Sequence, residues 1–115
     1  SRSQAVDTGN QLALKGAQEI GLRSLGPIMP VELRDLSLPA WLGRNPDCTL
    51  QIASPYVSRY HAQITHSDDG QIVIVHDSPT NGSSVNGSKL TTGDQYPLRK
   101  GDLFFLDTEA FLVEN

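Results

Sequence analysis

From Ile20 onward, apolar residues come in short bursts separated by turn-forming residues. Val31-Glu32-Leu33-Arg34-Asp35-Leu36 alternates apolar and polar, the period of a strand with one buried face. Ile20 to Leu25 stops at Gly26-Pro27, Ala40 to Arg44 stops at Asn45-Pro46-Asp47, and Thr49 to Ile52 forms a shorter burst. Tyr60 to Thr65 and Gln71 to His76 flank Asp68-Asp69-Gly70, a hairpin signal. Asn81-Gly82 and Asn86-Gly87 mark two further turns. Lys100-Gly101-Asp102 separates Leu98 from the run Leu103 to Leu106, and Phe111 to Val113 closes the pattern. About ten short strands at near-regular spacing predict an all-β sandwich or barrel.

Residues 1–19 read differently. Asp7 or Thr8 caps a short helical pattern through Gln11, Leu12, Leu14, Ala17 and Ile20, weakened by Gly9 and Gly16. The expectation is a flexible or weakly helical lead-in, followed by one domain over residues 20–115. A chain of 115 residues is long enough to bury a core without a metal or disulfide. Cys48 stands alone, which excludes an internal disulfide and argues against a cysteine-based zinc site. No apolar run is long enough to cross a bilayer as a helix, and no signal-peptide core follows Arg2. A soluble, intracellular domain with no membrane insertion is expected.

The net charge of −4 is unevenly spread. Asp102, Asp107, Glu109 and Glu114 fall after residue 100 with no Lys or Arg among them. The rest of the chain balances nine cations against nine acids. Nucleic acid, which demands clustered cations, is therefore not an expected partner. One small cationic pocket remains compatible with this balance.

Three groups carry candidate chemistry: Gly43-Arg44, Ser58-Arg59-Tyr60-His61, and Thr80 through Gly87. On an antiparallel sandwich the loops gather at two ends, so groups remote in sequence meet. A guanidinium, a hydroxyl and a side-chain amide brought together suit a phosphate carried on an extended peptide. Arginine presents a planar fork of donors to phosphate oxygens, and serine adds another donor. Asparagine both donates and accepts, which suits a peptide main chain.

Gly43-Arg44, Ser58-x-x-His61 and Asn81-Gly82, with a second Asn86-Gly87, resemble the pattern of the forkhead-associated (FHA) domain family over roughly Ile20 to Val113. The resemblance implies an antiparallel β-sandwich of about eleven strands that binds phosphothreonine peptides, is not an enzyme and needs no cofactor. It implies that Arg44 and Ser58 grip the phosphate and that Arg59 adds a further contact. It implies that Thr80 and Asn81 contact the peptide, with Asn81 on its main chain. Gly43, His61, Gly82, Asn86 and Gly87 are implied to structure the loops. Ser83 stands where many members carry Thr, a mild departure. Tyr56 lies in a loop that helps some members read residues after the phosphothreonine. The partner is then a phosphothreonine-containing protein, and the domain belongs to a larger signalling or regulatory protein. The alternative is an FHA-like domain that binds its partner without phosphorylation.

Other readings are weaker. Ser58, His61 and Asp77 would supply a hydrolase triad, but no Gly-x-Ser-x-Gly turn is present. His61, His66 and His76 would supply metal ligands, but residues five apart on a strand face opposite ways. Both Asn-Gly-Ser segments match the glycosylation pattern, which the lone cysteine and missing signal make a chance match. His61 reads as a structural histidine rather than a base, and Asn86-Gly87 as a type I′ hairpin turn.

Overall fold

The structure is a computed structural model that describes residues 16–115. Its eleven strands are β1 (Glu19–Gly26), β2 (Glu32–Ser37), β3 (Ala40–Gly43), β4 (Leu50–Gln51), β5 (Ala62–His66), β6 (Ile72–His76), β7 (Ser83–Val85), β8 (Ser88–Lys89), β9 (Gln95–Pro97), β10 (Leu103–Leu106) and β11 (Glu109–Val113). They form a six-stranded sheet, β2-β1-β11-β10-β7-β8, and a five-stranded sheet, β4-β3-β5-β6-β9. This is the all-β sandwich expected.

Alternation along the strands builds the core. Ile20 and Leu22, Ala40 and Leu42, Ala62 and Ile64, Ile72 and Ile74, and Phe104 and Leu106 each lie two apart and are buried. Phe104 and Phe111, opposite one another on β10 and β11, stack with ring centroids 5.2 Å apart. Fully burying such side chains contributes about 1.5–3 kcal/mol each, and they hold the two sheets face to face.

The pairing is antiparallel except between β3 and β4, where Leu42 lies against Leu50 and Gly43 against Gln51 in parallel. A parallel pair ordinarily needs a long crossover. Here the chain doubles back within residues 44–49. The Asn45 carbonyl accepts the Cys48 amide at 3.0 Å, and Asn45 Oδ1 accepts the Asp47 amide at 2.8 Å. Thr49 Oγ1 then accepts the Trp41 amide at 3.2 Å, which brings the chain back beside β3.

The expected lead-in lies mostly outside the described residues. From residue 16 the chain is already attached to the sandwich: the Gly16 amide donates to the Gly70 carbonyl at 2.8 Å, and the Leu38 amide to the Gln18 carbonyl at 2.9 Å. Ile20 belongs to β1, not to a helix. The Asp68-Asp69-Gly70 turn joins β5 and β6 as expected, with the Gly70 amide closing on the Ser67 carbonyl at 2.9 Å.

Register places the first two motif groups and the start of the third at one end, while Asn86-Gly87 lies at the other end of β7. Leu42 pairs with Ala62 and Ala62 with His76, so the end of β3, the start of β5 and the end of β6 are neighbours. Arg44, Ser58 to His61, and residues 77–82 all extend from that end.

Candidate functional site

Gly43 brings two loops into contact. A β-carbon there would lie 2.2 Å from the Arg59 carbonyl oxygen and 2.9 Å from that of Ser58. Only glycine permits this approach. Two backbone bonds result: the Arg44 amide donates to the Ser58 carbonyl at 3.0 Å, and the Asn45 amide to the Arg59 carbonyl at 3.1 Å. The Arg44 guanidinium donates through Nε to the Val57 carbonyl at 3.0 Å. This fixes the plane of the fork and leaves its terminal nitrogens for a ligand.

His61 is fully buried and spans two loops. Its Nδ1 accepts the Ser58 amide at 3.0 Å, so the proton sits on Nε2 and is donated to the Gly82 carbonyl at 3.1 Å. Burial pushes its pKa below the ordinary histidine value; the Gly82 carbonyl works against this, and neighbouring His76 adds to it. The His76 ring meets His61 edge-to-face at 5.5 Å, with Nδ1 2.7 Å from Ser83 Oγ. Burial lowers the His76 pKa too. Ser83, the mild departure from the family pattern, is thus a partner of His76.

Arg44, Ser58, Arg59, Tyr60, Asp77 and Pro79 line an open cleft of about 460 Å³. Its charges are two guanidinium groups and one carboxylate. Among the described residues the Arg59 guanidinium has no ion-pair or hydrogen-bond partner. Tyr60 packs edge-on against Trp41, centroids 5.6 Å apart, which gives the cleft a firm aromatic wall. A groove of about 470 Å³ lies at the chain's two described ends and carries Glu19 and Asp35, which repel an anion.

Thr80 and Asn81 do not line the cleft; they adjoin it through Ser78. The buried Ser78 Oγ accepts the Asn81 amide at 3.0 Å and the Thr80 amide at 3.4 Å, and shares a short hydrogen bond with Ser58 Oγ. The side chains of Thr80 and Asn81 make no hydrogen bond among the described residues. Gly82 contributes its carbonyl, which accepts the Asp107 amide at 2.8 Å as well as His61, while a β-carbon there would meet nothing. Asn86 and Gly87, with φ of 49° and 85°, form the β7–β8 hairpin turn. The Asn86 amide is spent on the fold: Nδ2 donates to Asp102 at 3.0 Å and Oδ1 accepts the Leu103 amide at 2.9 Å. Tyr56 is exposed on its loop and does not line the cleft.

Neither alternative chemistry is assembled among the described residues. Ser58 Oγ bonds to Ser78, while the His61 nitrogens bond to two backbone groups, so no nucleophile–base pair exists at Ser58. His66 donates Nε2–H to the Ala17 carbonyl at 2.6 Å, at the other end of β5 from His61. Sequence reasoning missed Ser78. A serine whose hydroxyl caps amides two and three residues ahead is a local signal that was available.

The FHA domain family model matches residues 40–106. An E3 ubiquitin-protein ligase CHFR from Danio rerio is 35% identical over 65 residues, covering 56% of this chain and 10% of that protein. The chain therefore spans about a tenth of the curated relatives it matches. The N-terminal FHA domain of Rad53p from S. cerevisiae, in complex with a phosphothreonine peptide, superposes with a TM-score of 0.73 at 23% identity, covering 84% of this chain and 92% of that one. The FHA domain of CT664 protein from Chlamydia trachomatis gives a TM-score of 0.71 at 23% identity, over 84% and 97% of the two chains.

Proposed function

This chain belongs to the FHA domain family, and we propose that it is a recognition module for phosphothreonine peptides. The observation that carries the reading is the coupling of Arg44 to Ser58. One backbone bond joins them at the mouth of a cleft, with the arginine's terminal nitrogens and the serine hydroxyl on hand for one anion. Arg59 adds a second, unpaired guanidinium. Hydrogen bonds to a charged group contribute about 1.5–3 kcal/mol each, and a bidentate arginine contributes more. In this reading Arg44 and Ser58 hold the phosphate, Arg59 supplements them, and the free amide of Asn81 holds the peptide main chain beside Thr80.

The domain is non-catalytic and targets a larger regulatory protein to its phosphorylated partner. An intracellular setting agrees with the buried, unpaired thiol of Cys48. Among the described residues no helix is long and apolar enough to cross a membrane. Calorimetry with one peptide in phosphothreonine and unmodified forms tests the reading. Binding of the phosphorylated form alone is expected. Equal binding of both overturns it in favour of phosphorylation-independent association.

A further inference from the structure

Ser78 lies outside the motif residues, yet its hydroxyl joins the two halves of the site. Its Oγ has two lone pairs and one proton. The lone pairs face the amides of Thr80 and Asn81, at 3.4 and 3.0 Å. Both amides are obligate donors, so the proton of Ser78 is left for its remaining neighbour, Ser58 Oγ. Ser58 Oγ is then the acceptor in that bond, and its own proton points elsewhere. A hydroxyl that contacts a phosphate dianion must donate. We propose that Ser78 is a positioning residue that sets the Ser58 hydroxyl as a donor into the cleft and ties it to the backbone that carries Asn81.

The inference rests on the phosphate-binding reading of Ser58. Ser78 is buried, so water does not replace its hydroxyl readily. Without it, the amides of Thr80 and Asn81 lose their acceptor and the Ser58 hydroxyl is free to rotate. The chain of bonds also polarises in one direction, from the amides through Ser78 to Ser58, which strengthens the final donor. Phosphate grip and main-chain grip are thereby linked through one oxygen.

The test is a double-mutant cycle on the full chain, read by calorimetry with a phosphothreonine peptide. Ser58→Ala and Ser78→Ala are each expected to weaken binding roughly 5- to 20-fold, with the double variant little weaker than either single one. Ser78→Thr keeps the hydroxyl and is expected to recover most of the affinity. Multiplying losses in the double variant, or wild-type affinity in Ser78→Ala, overturns the proposal. A second readout covers a Ser78→Ala chain that fails to fold. In ligand-free Ser58→Ala, the NMR amide signals of Thr80 and Asn81 are expected to shift, because their acceptor has lost its own partner. Unmoved signals overturn the coupling. Failure of the wild-type chain to bind phosphopeptide refutes the functional reading instead, and the ligand-free measurement still decides the linkage.

Discussion

The Nδ1 of His61 accepts the amide hydrogen of Ser58, so the Ser58 loop depends on a histidine that stays neutral. Protonation would set an N–H against an N–H. Burial lowers the pKa of His61 and of His76 below the unfolded value near 6.5. Below that value the unfolded chain binds protons that the folded chain resists. Stability therefore rises with pH through the window below about 6.5 and levels off above it. Denaturant midpoints measured from pH 5 to 8 are expected to follow this course, and His61→Gln to flatten it. On the proposed reading, phosphopeptide binding is also expected to strengthen across this range, because the ligand's second ionisation lies near pH ~6. The histidine and ligand effects act in the same direction.

Arg44→Ala is expected to reduce phosphopeptide affinity roughly 10- to 1,000-fold by calorimetry, equivalent to about 1.4–4 kcal/mol, while the circular dichroism spectrum is unchanged. The side chain is exposed, so the sandwich does not rest on it. Arg44→Lys is expected to recover little, since an ammonium supplies neither the Val57 anchor through Nε nor the planar fork. Full affinity in either variant would remove Arg44 from the site.

Gly43→Ala is a test of backbone approach. The added carbon would stand 2.2 Å from the Arg59 carbonyl oxygen, which belongs to main chain and cannot swing aside. Relief requires separating β3 from the Ser58 loop. A loss near the top of the 1–3 kcal/mol range for overpacking is expected in urea denaturation, with phosphopeptide binding lost as well.

The sequence foretold most of this sandwich because buried alternation is a strong signal, and it missed elements that lack it. β8 has two exposed residues and no apolar one. β9 reads Gln95-Tyr96-Pro97, and the buried apolar residue, Leu98, lies just outside it. Proline is tolerated because β9 is an edge strand, and edge position depends on topology. The parallel β3–β4 pair depends on a six-residue reversal whose hydrogen bonds are local but whose direction no periodicity reports. Arg44, Ser58 and Arg59, to which the family resemblance gives phosphate roles, line one cleft. Thr80 and Asn81 do not line it; they adjoin it through Pro79, which does, and through the Ser78 hydroxyl.

Discrimination between phosphothreonine and phosphoserine turns on one methyl group. On the proposed reading Arg44 and Ser58 hold the same phosphate in both ligands, and Pro79 and Tyr60, which also line the cleft, are the apolar surface open to the methyl. Burial of a methyl is worth about 0.8 kcal/mol, and restriction of the ligand's side-chain rotamer adds to it. A matched peptide pair is expected to show a preference of roughly tenfold, about 1.4 kcal/mol, for phosphothreonine. Equal affinities would leave a phosphate reader without threonine specificity.

The two Asn-Gly pairs differ in their chemistry with time. Each asparagine precedes a glycine, whose amide nitrogen is unshielded and able to attack the side-chain carbonyl carbon, expelling ammonia. At Asn86 that side chain is held at both ends, by Asp102 and by the Leu103 amide, and is kept from cyclising. At Asn81 neither end is held among the described residues. Deamidation on storage is therefore expected to reach Asn81 before Asn86, and hydrolysis of the ring leaves aspartate or isoaspartate next to the cleft. An aged preparation is expected to stay folded while the Arg44 cleft gains a neighbouring carboxylate, so phosphopeptide binding is expected to fall before thermal stability does.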